Sequence, residues 1–409
     1  MSESLPPELT TGERIRLLRE RRGMSRTVLA GLCGRGMDWL KKIETGEREL
    51  RSHELLARIA QALQVSDLSV ITGSATSVPV SDDRATLPWV SEVRDAVRGS
   101  LFTPAVEEPP SVDVLAGRVA QAWTLWHSSR FQRTEIGAML PGLIRDAQAL
   151  PRLLDGAERR RAHAVLAEVW HLAQQALAYG CEAELYWVVV DRGRTAAQDA
   201  DDPLTLAGAA WTFGNGLRET GYADEAVHIV EQAAEALEPQ LESGTNDVRG
   251  MYGALHLHAA VTRARMGLDG DAWRHYDQAD RVANQLPKGY AHPWTVFGRG
   301  NADFHAVSIG VDLRTPGAAL NRAESIDLST VPSVERRSRV LVEMARAHHL
   351  RKDPAGTLHW MSRAQEESPE TVRFTPSGRS LVSELARTAK GPLKSDAVAL
   401  AEKVGVLVA

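Results

Sequence analysis

The chain has 409 residues, 48 Lys and Arg against 53 Asp and Glu, and 43% hydrophobic residues, for a net charge of −5. That length implies roughly two to three domains, and no apolar run approaches the ~18 residues of a membrane span, so no membrane association is expected. The opening MSESLPPELTTGERI has no apolar signal core, and the two cysteines, Cys33 and Cys181, lie far apart, so a reducing, cytoplasmic location is expected.

Residues 13–22, ERIRLLRERR, form an amphipathic helix with Ile15, Leu17 and Leu18 inward. Residues 24–46, MSRTVLAGLCGRGMDWLKKIETG, then read as two short helices around a tight turn. Ser25 is a good N-cap for the first, which puts Val28, Leu29 and Leu32 on one face, and Gly34 breaks it. The second starts near Gly36, buries Leu40 and Ile43, and stops at Gly46. Met37, Asp38, Lys41, Lys42 and Thr45 are left on its outer side, the surface by which such a helix enters a DNA groove. HELLARIAQAL at 53–63 supplies another amphipathic helix, and Ser66-Asp67 can cap a fifth turn.

Five helices in about 65 residues, with LRERRGMSRTVLA, CG at the turn, and LKKIETGERE followed by LLARIAQAL, resemble the DNA-binding domain of the XRE family over residues 11–73. The resemblance implies a lambda-repressor-like helix-turn-helix fold. It also places Met37, Asp38 and Lys42 where the family reads base edges. Arg26 and Thr27 fall at the start of the first helix, where the backbone is touched, and Arg48 and Arg51 in the following loop. Lys donates to guanine acceptors and Asp accepts from a cytosine amine; Asp38 equally complements the helix dipole. Lys41 reads as a phosphate contact. Arg35, Gly36 and Trp39 depart from the family pattern, and Trp39 reads as a packing residue. The departures put base preference in doubt, with Arg35 at the turn counted among the DNA-facing residues.

Charge supports this reading. Residues 11–58 hold twelve Arg and Lys against seven Asp and Glu, a balance of +5, and the remainder holds 36 against 46. A basic head on an acidic body suits a protein that meets phosphate at one end.

Residues 74–110 read as a Ser/Thr/Pro-rich linker around one short helix at 88–98 with Trp89, Val93, Ala96 and Val97 on its apolar face. From 111 to 409 nearly every segment has helical period, including 203–219, 223–238, 246–266, 293–311, 333–351 and 374–389. The helices pair around small turns, and Ala226, Ala272 and Ala319 recur at intervals of 46 and 47, longer than the ~34 of tetratricopeptide repeats. GYADEA at 221–226 matches the tetratricopeptide motif best. The whole body, including AWTFGNGLRETG at 210–221 and MYGALHLHAAVTRARMG at 251–267, resembles actinobacterial XRE regulators with a tetratricopeptide-like C-terminal domain.

The expected fold is therefore all-α, a five-helix head followed by a right-handed solenoid with a concave groove. The resemblance implies a transcriptional regulator that binds double-stranded, palindromic DNA as a homodimer and takes a peptide or small-molecule effector. Groove candidates are Trp211, Asn215 and Arg218; Arg249, Tyr252 and His256; and Phe297, Asn301 and His305. His256, His258, His348 and His349 lack companion ligands at metal spacing, and GNG at 214–216 and GRG at 298–300 follow no strand, so no metal, cofactor or catalysis is expected. The competing reading is an interaction scaffold whose degenerate head no longer reads DNA.

Overall fold

The computed structural model describes residues 9–50, 52–63, 65, 68–73, 87–99 and 109–406, and all the regular structure among them is helical. The head comprises α1 (Thr11–Arg21), α2 (Arg26–Leu32), α3 (Met37–Glu44), α4 (His53–Ala62) and α5 (Leu68–Thr72). A capping box starts it: Thr10 Oγ1 accepts from Glu13 N at 3.3 Å while Glu13 Oε2 accepts from Thr10 N at 2.8 Å. Ile15, Leu18, Leu29, Ala30, Leu40, Ile43, Ile59, Leu63 and Ile71 then close one buried core. Leu32, expected on the inner face of the hairpin's first helix, is instead exposed, because α2 turns only Leu29, Ala30 and Cys33 toward that core.

The next helix, α6 (Val90–Arg98), packs on the body, and its apolar side joins the body's core. Trp89 lies flat on Gly137 and Leu87 on Gly180, where any side chain would overlap them. Arg94 pairs with Glu182, and Arg192 Nη1 donates to Val97 O at 2.7 Å.

The body opens with α7 (Val112–Ser128) and α8 (Gln132–Ala149), followed by α9 (Gly156–Leu177) and α10 (Ala183–Ala200), and α11 (Pro203–Glu219) and α12 (Ala223–Leu237). Then come α13 (Asn246–Arg265) and α14 (Asp269–Gln285), α15 (Arg299–Asp312) and α16 (Pro316–Glu324), and α17 (Val334–Leu350) and α18 (Pro354–Glu367). Three helices end the chain: α19 (Pro369–Phe374), α20 (Pro376–Thr388) and α21 (Pro392–Val404). The helix expected at 374–389 forms as α20, and α19 is an additional short helix before it, started by the Ser368 side chain, which accepts from Thr371 N, and by Pro369 at its first position.

Successive odd-numbered helices from α7 to α17 stack side by side on an inner layer, as a helical-repeat body requires. The open groove expected from the repeats is not what forms. The superhelix closes, because α7 meets α17 and the start of α8 is hydrogen-bonded to α19. At this seam Glu370 accepts from Arg133 N at 2.6 Å, Thr134 Oγ1 at 2.5 Å and Thr134 N at 3.2 Å. His127 Nδ1 lies 3.2 Å from Ser333 Oγ.

A second departure lies between α14 and α15. The helix expected from 293 begins only at Arg299, since Val296 takes a left-handed φ of 58° and the chain doubles back, His292 N donating to Phe297 O at 2.9 Å. A β-branched residue at positive φ is strained, and the loop's contacts hold it there. Trp294 Nε1 donates to Glu168 Oε1 at 2.8 Å, Tyr290 Oη to Asp247 Oδ1 at 2.7 Å, and Pro293 O faces His127 Nε2 at 3.0 Å. The loop therefore ties α7, α9 and α13 together.

Burial raises the Glu168 carboxyl to about 7 from an ordinary 4.5. A raised folded-state value means that Glu168 favours folding at acidic pH and that this contribution fades as pH climbs from about 4.5 through 7. Glu168→Gln keeps an acceptor for Trp294 without the charge. Its melting temperature is expected to match the parent near pH 4 and to exceed it above pH 7.5, as read by a pH series of calorimetric scans.

Candidate nucleic-acid interface

Ser25 Oγ accepts from Val28 N at 3.2 Å and starts α2, and Gly34, at φ 66°, makes the turn that L side chains disfavour. Gly36 caps α3 without a side-chain bond, as a residue lacking a hydroxyl must. Leu40 and Ile43 pin α3 to the core, so Met37, Asp38, Lys41, Lys42 and Thr45 all face outward. Met37 is 49% exposed, a large apolar side chain held in solvent beside a helix start, suited to a thymine methyl.

What aims this helix is a buried ion cluster. Glu44 is 3% exposed and takes Arg19 Nε at 2.5 Å, Arg19 Nη2 at 3.0 Å and Arg26 Nε at 2.6 Å, joining α1, α2 and α3. Sequence reading missed Arg19 and Glu44, because nothing in the spacing of two charged residues 25 positions apart marks them as partners. Arg26 is correspondingly not a free phosphate-seeking cation: one edge is held by Glu44 and its side chain is 34% exposed. Thr27 beside it is exposed. Arg35 stands over the Trp39 indole at 6.0 Å, and Trp39 is half-buried against the head's core. Arg48 is exposed in the loop after α3, where its N–H donates to Lys42 O at 2.9 Å. Arg51 lies outside the described residues.

With two helices set around a glycine turn on a closed core, and a polar, lysine-bearing α3 exposed, the comparison with known families decides the head. Residues 11–69 match the helix-turn-helix domain family. Comparison of the whole chain with curated proteins gives no match. The helix-turn-helix domain thus occupies the N-terminus, and the helical-repeat body follows it.

The body's expected groove residues are scattered. Phe297 is wholly buried against Gly253, and Tyr252 is 8% exposed, so both are core. His256 turns toward α14, its Nδ1 3.1 Å from His275 Nδ1. Arg249 donates to Leu241 O at 2.8 Å and Glu242 O at 3.0 Å, which ties down the connection before α13. Trp211 packs half-buried in the core around α13. Asn301 is buried, its Nδ2 donating to Thr295 O at 3.3 Å, and His305 Nδ1 sits 2.7 Å from Asn301 O. Burial lowers His305 to about 3, so it is neutral at physiological pH.

Asn215 and Arg218 do meet, with Arg218 Nη2 donating to Asn215 Oδ1 at 2.6 Å. Arg218 begins a ladder of ion pairs across the C-terminal ends of the inner helices. Glu219 pairs with Arg265 at 3.3 Å, and Asp312 pairs with Arg265 at 3.6 Å and Arg346 at 2.8 Å. Glu335, nearer the start of α17, pairs with Arg336 and Arg339. Burial alone would raise Glu335, but Arg339 and Arg336 outweigh it and hold the carboxyl at about 2. Among the described residues no group of three His, Cys, Asp or Glu could hold a metal ion, and no helix is long and apolar enough to cross a membrane.

Proposed function

We propose that the protein is a sequence-specific DNA-binding transcriptional regulator, in which the head reads a palindromic operator and the helical body supplies dimerisation and effector sensing. The observation that carries this is α3: Met37, Asp38, Lys41 and Lys42 stand exposed on one helix of a domain matched to the helix-turn-helix family. A dimer would present two such helices to half-sites about 34 Å apart. The sensing role draws support from polar atoms buried on the inner layer. His171 on α9 has both ring nitrogens, and Asn301 on α15 its Oδ1, without a hydrogen-bond partner among the described residues. Buried polar groups are ordinarily satisfied, so an effector with a peptide-like or other polar backbone suits them.

Selection of duplexes from a random-sequence library by the full-length protein tests the reading. Affinity for the selected site is expected to fall steeply with salt. Lys42→Ala is expected to weaken that affinity and relax base preference at one position by about 1–3 kcal/mol, and Lys41→Ala to lower the salt slope by about 1 without changing preference. If no duplex is enriched, the head is an interaction module and the regulator reading fails.

A further inference from the structure

Gly31 is the penultimate residue of the seven-residue α2, close to its C-cap Cys33. The guanidinium of Arg314, from the body, lies directly against Gly31, and a methyl group there would have to push the end of Arg314 aside. Arg314 itself holds a left-handed φ of 62° in the turn between α15 and α16. Non-glycine residues adopt that conformation uncommonly.

Two neighbouring hairpin turns of the body meet the same end of the head. Gly221, between α11 and α12, receives the stem of Arg22, leaving no room for a side chain. Gly267, between α13 and α14, faces Ser25, whose Oγ would be 3.4 Å from a Cβ placed there. A Cβ on Gly23 would lie 3.1 Å from Met266 Cε and 3.2 Å from Ala223 Cβ. Beyond them, Glu384 and Arg387 of α20 face Arg35 at the hairpin turn across a cavity of about 260 Å³. The contact thus runs along α2 from the residues before its cap to the turn after it.

We propose that this docked head is a DNA-excluded state, latched by Arg314 in the space that Gly31 leaves open. The inference rests on the DNA-binding reading given above. In helix-turn-helix docking the first helix crosses the DNA backbone. A strand passing Arg26 and Thr27 would share its ground with the Gly267 turn, which abuts Ser25 one residue away. The recognition surface of α3 stays exposed, so the latch blocks the approach of the backbone and leaves the base-reading residues intact. The latch also has a handle. Asp312, two residues before Arg314, is held in the ion-pair ladder by Arg265 and Arg346. A ligand that draws either arginine away frees the turn that positions Arg314.

The test uses the full-length chain, Arg314→Ala and Gly31→Ala, each taken through the same duplex selection and then measured on one common duplex. Amide exchange over residues 22–32 is followed in parallel to report release of the head. Exchange is expected to rise in both variants. Affinity is expected to rise about tenfold if the released head is populated about one-tenth of the time in the parent. Raised exchange with equal or weaker affinity would overturn the latch and leave the DNA-binding reading standing. Unchanged exchange in both variants would overturn it too, since Arg314 would then not hold the head. If neither parent nor variants enrich any duplex, the DNA-binding reading itself falls.

Discussion

Glu44→Ala is expected to unfold the helix-turn-helix domain while the helical body stays folded. The carboxylate is 3% exposed and grips Arg19 through both oxygens, with Arg26 as a second cation. Arg19 is itself 5% exposed, and its remaining bonds are to Met24 O at 2.8 Å and to Glu20 at 3.2 Å. Removing one partner of a buried ion pair typically costs about 3–5 kcal/mol, because the other charge stays buried. A domain of about 60 residues has only roughly 3–9 kcal/mol of stability to lose. Calorimetry of the variant is expected to show the head's transition lowered or gone at ambient temperature and the body's unchanged, with DNA binding lost as a consequence. Glu44→Gln, which keeps the shape and an acceptor, is expected to lie between. A single unshifted transition in Glu44→Ala would mean that the cluster does not hold the head together.

The second large effect is expected at the seam. Glu370 is 7% exposed and is the common acceptor for Arg133 N, Thr134 N and Thr134 Oγ1. Glu370→Ala leaves these donors facing an apolar methyl. Hydrogen bonds to a charged group contribute about 1.5–3 kcal/mol each, and buried unpaired donors carry a penalty of their own. A loss of about 3 kcal/mol corresponds to a fall of roughly 6 °C in the body's melting temperature. Small-angle scattering is expected to show an expanded particle if the ring opens. An unchanged radius together with an unchanged melting temperature would place the closure elsewhere.

The elements legible in the sequence were those whose information is local. The cap of α2, the glycine turn at Gly34 and the apolar periods of α11 to α13 can be read within one helix length. So could the outward stripe on α3. Closure of the ring could not, because Gln132 and Thr371 stand 239 positions apart and neither has a helical period that marks a partner. The 293–298 stretch looks helical by composition, yet the anchors of Trp294 and Pro293 on α9 and α7 outweigh that propensity. Phe297 and Tyr252 failed as groove residues for the same reason. An aromatic on a helix reads alike whether it faces a cavity or Gly253. Gly31 is the converse case, a small residue whose near neighbour, Arg314, is supplied by a distant part of the chain.

The anchoring of α6 on α8 sets how far a released head can travel. Only residues 74–86 separate the end of the head at Gly73 from Leu87, which is fixed against Gly180. Fully extended, that connection spans at most about 50 Å. A head confined to a sphere of that radius has an effective concentration on the order of millimolar at its own docking site. A contact with an intrinsic dissociation constant roughly tenfold below that concentration would therefore keep it docked about nine-tenths of the time. This fits an interface made of one guanidinium, one arginine stem and three glycine turns, and it means that a modest change at Arg314 would be enough to shift the balance.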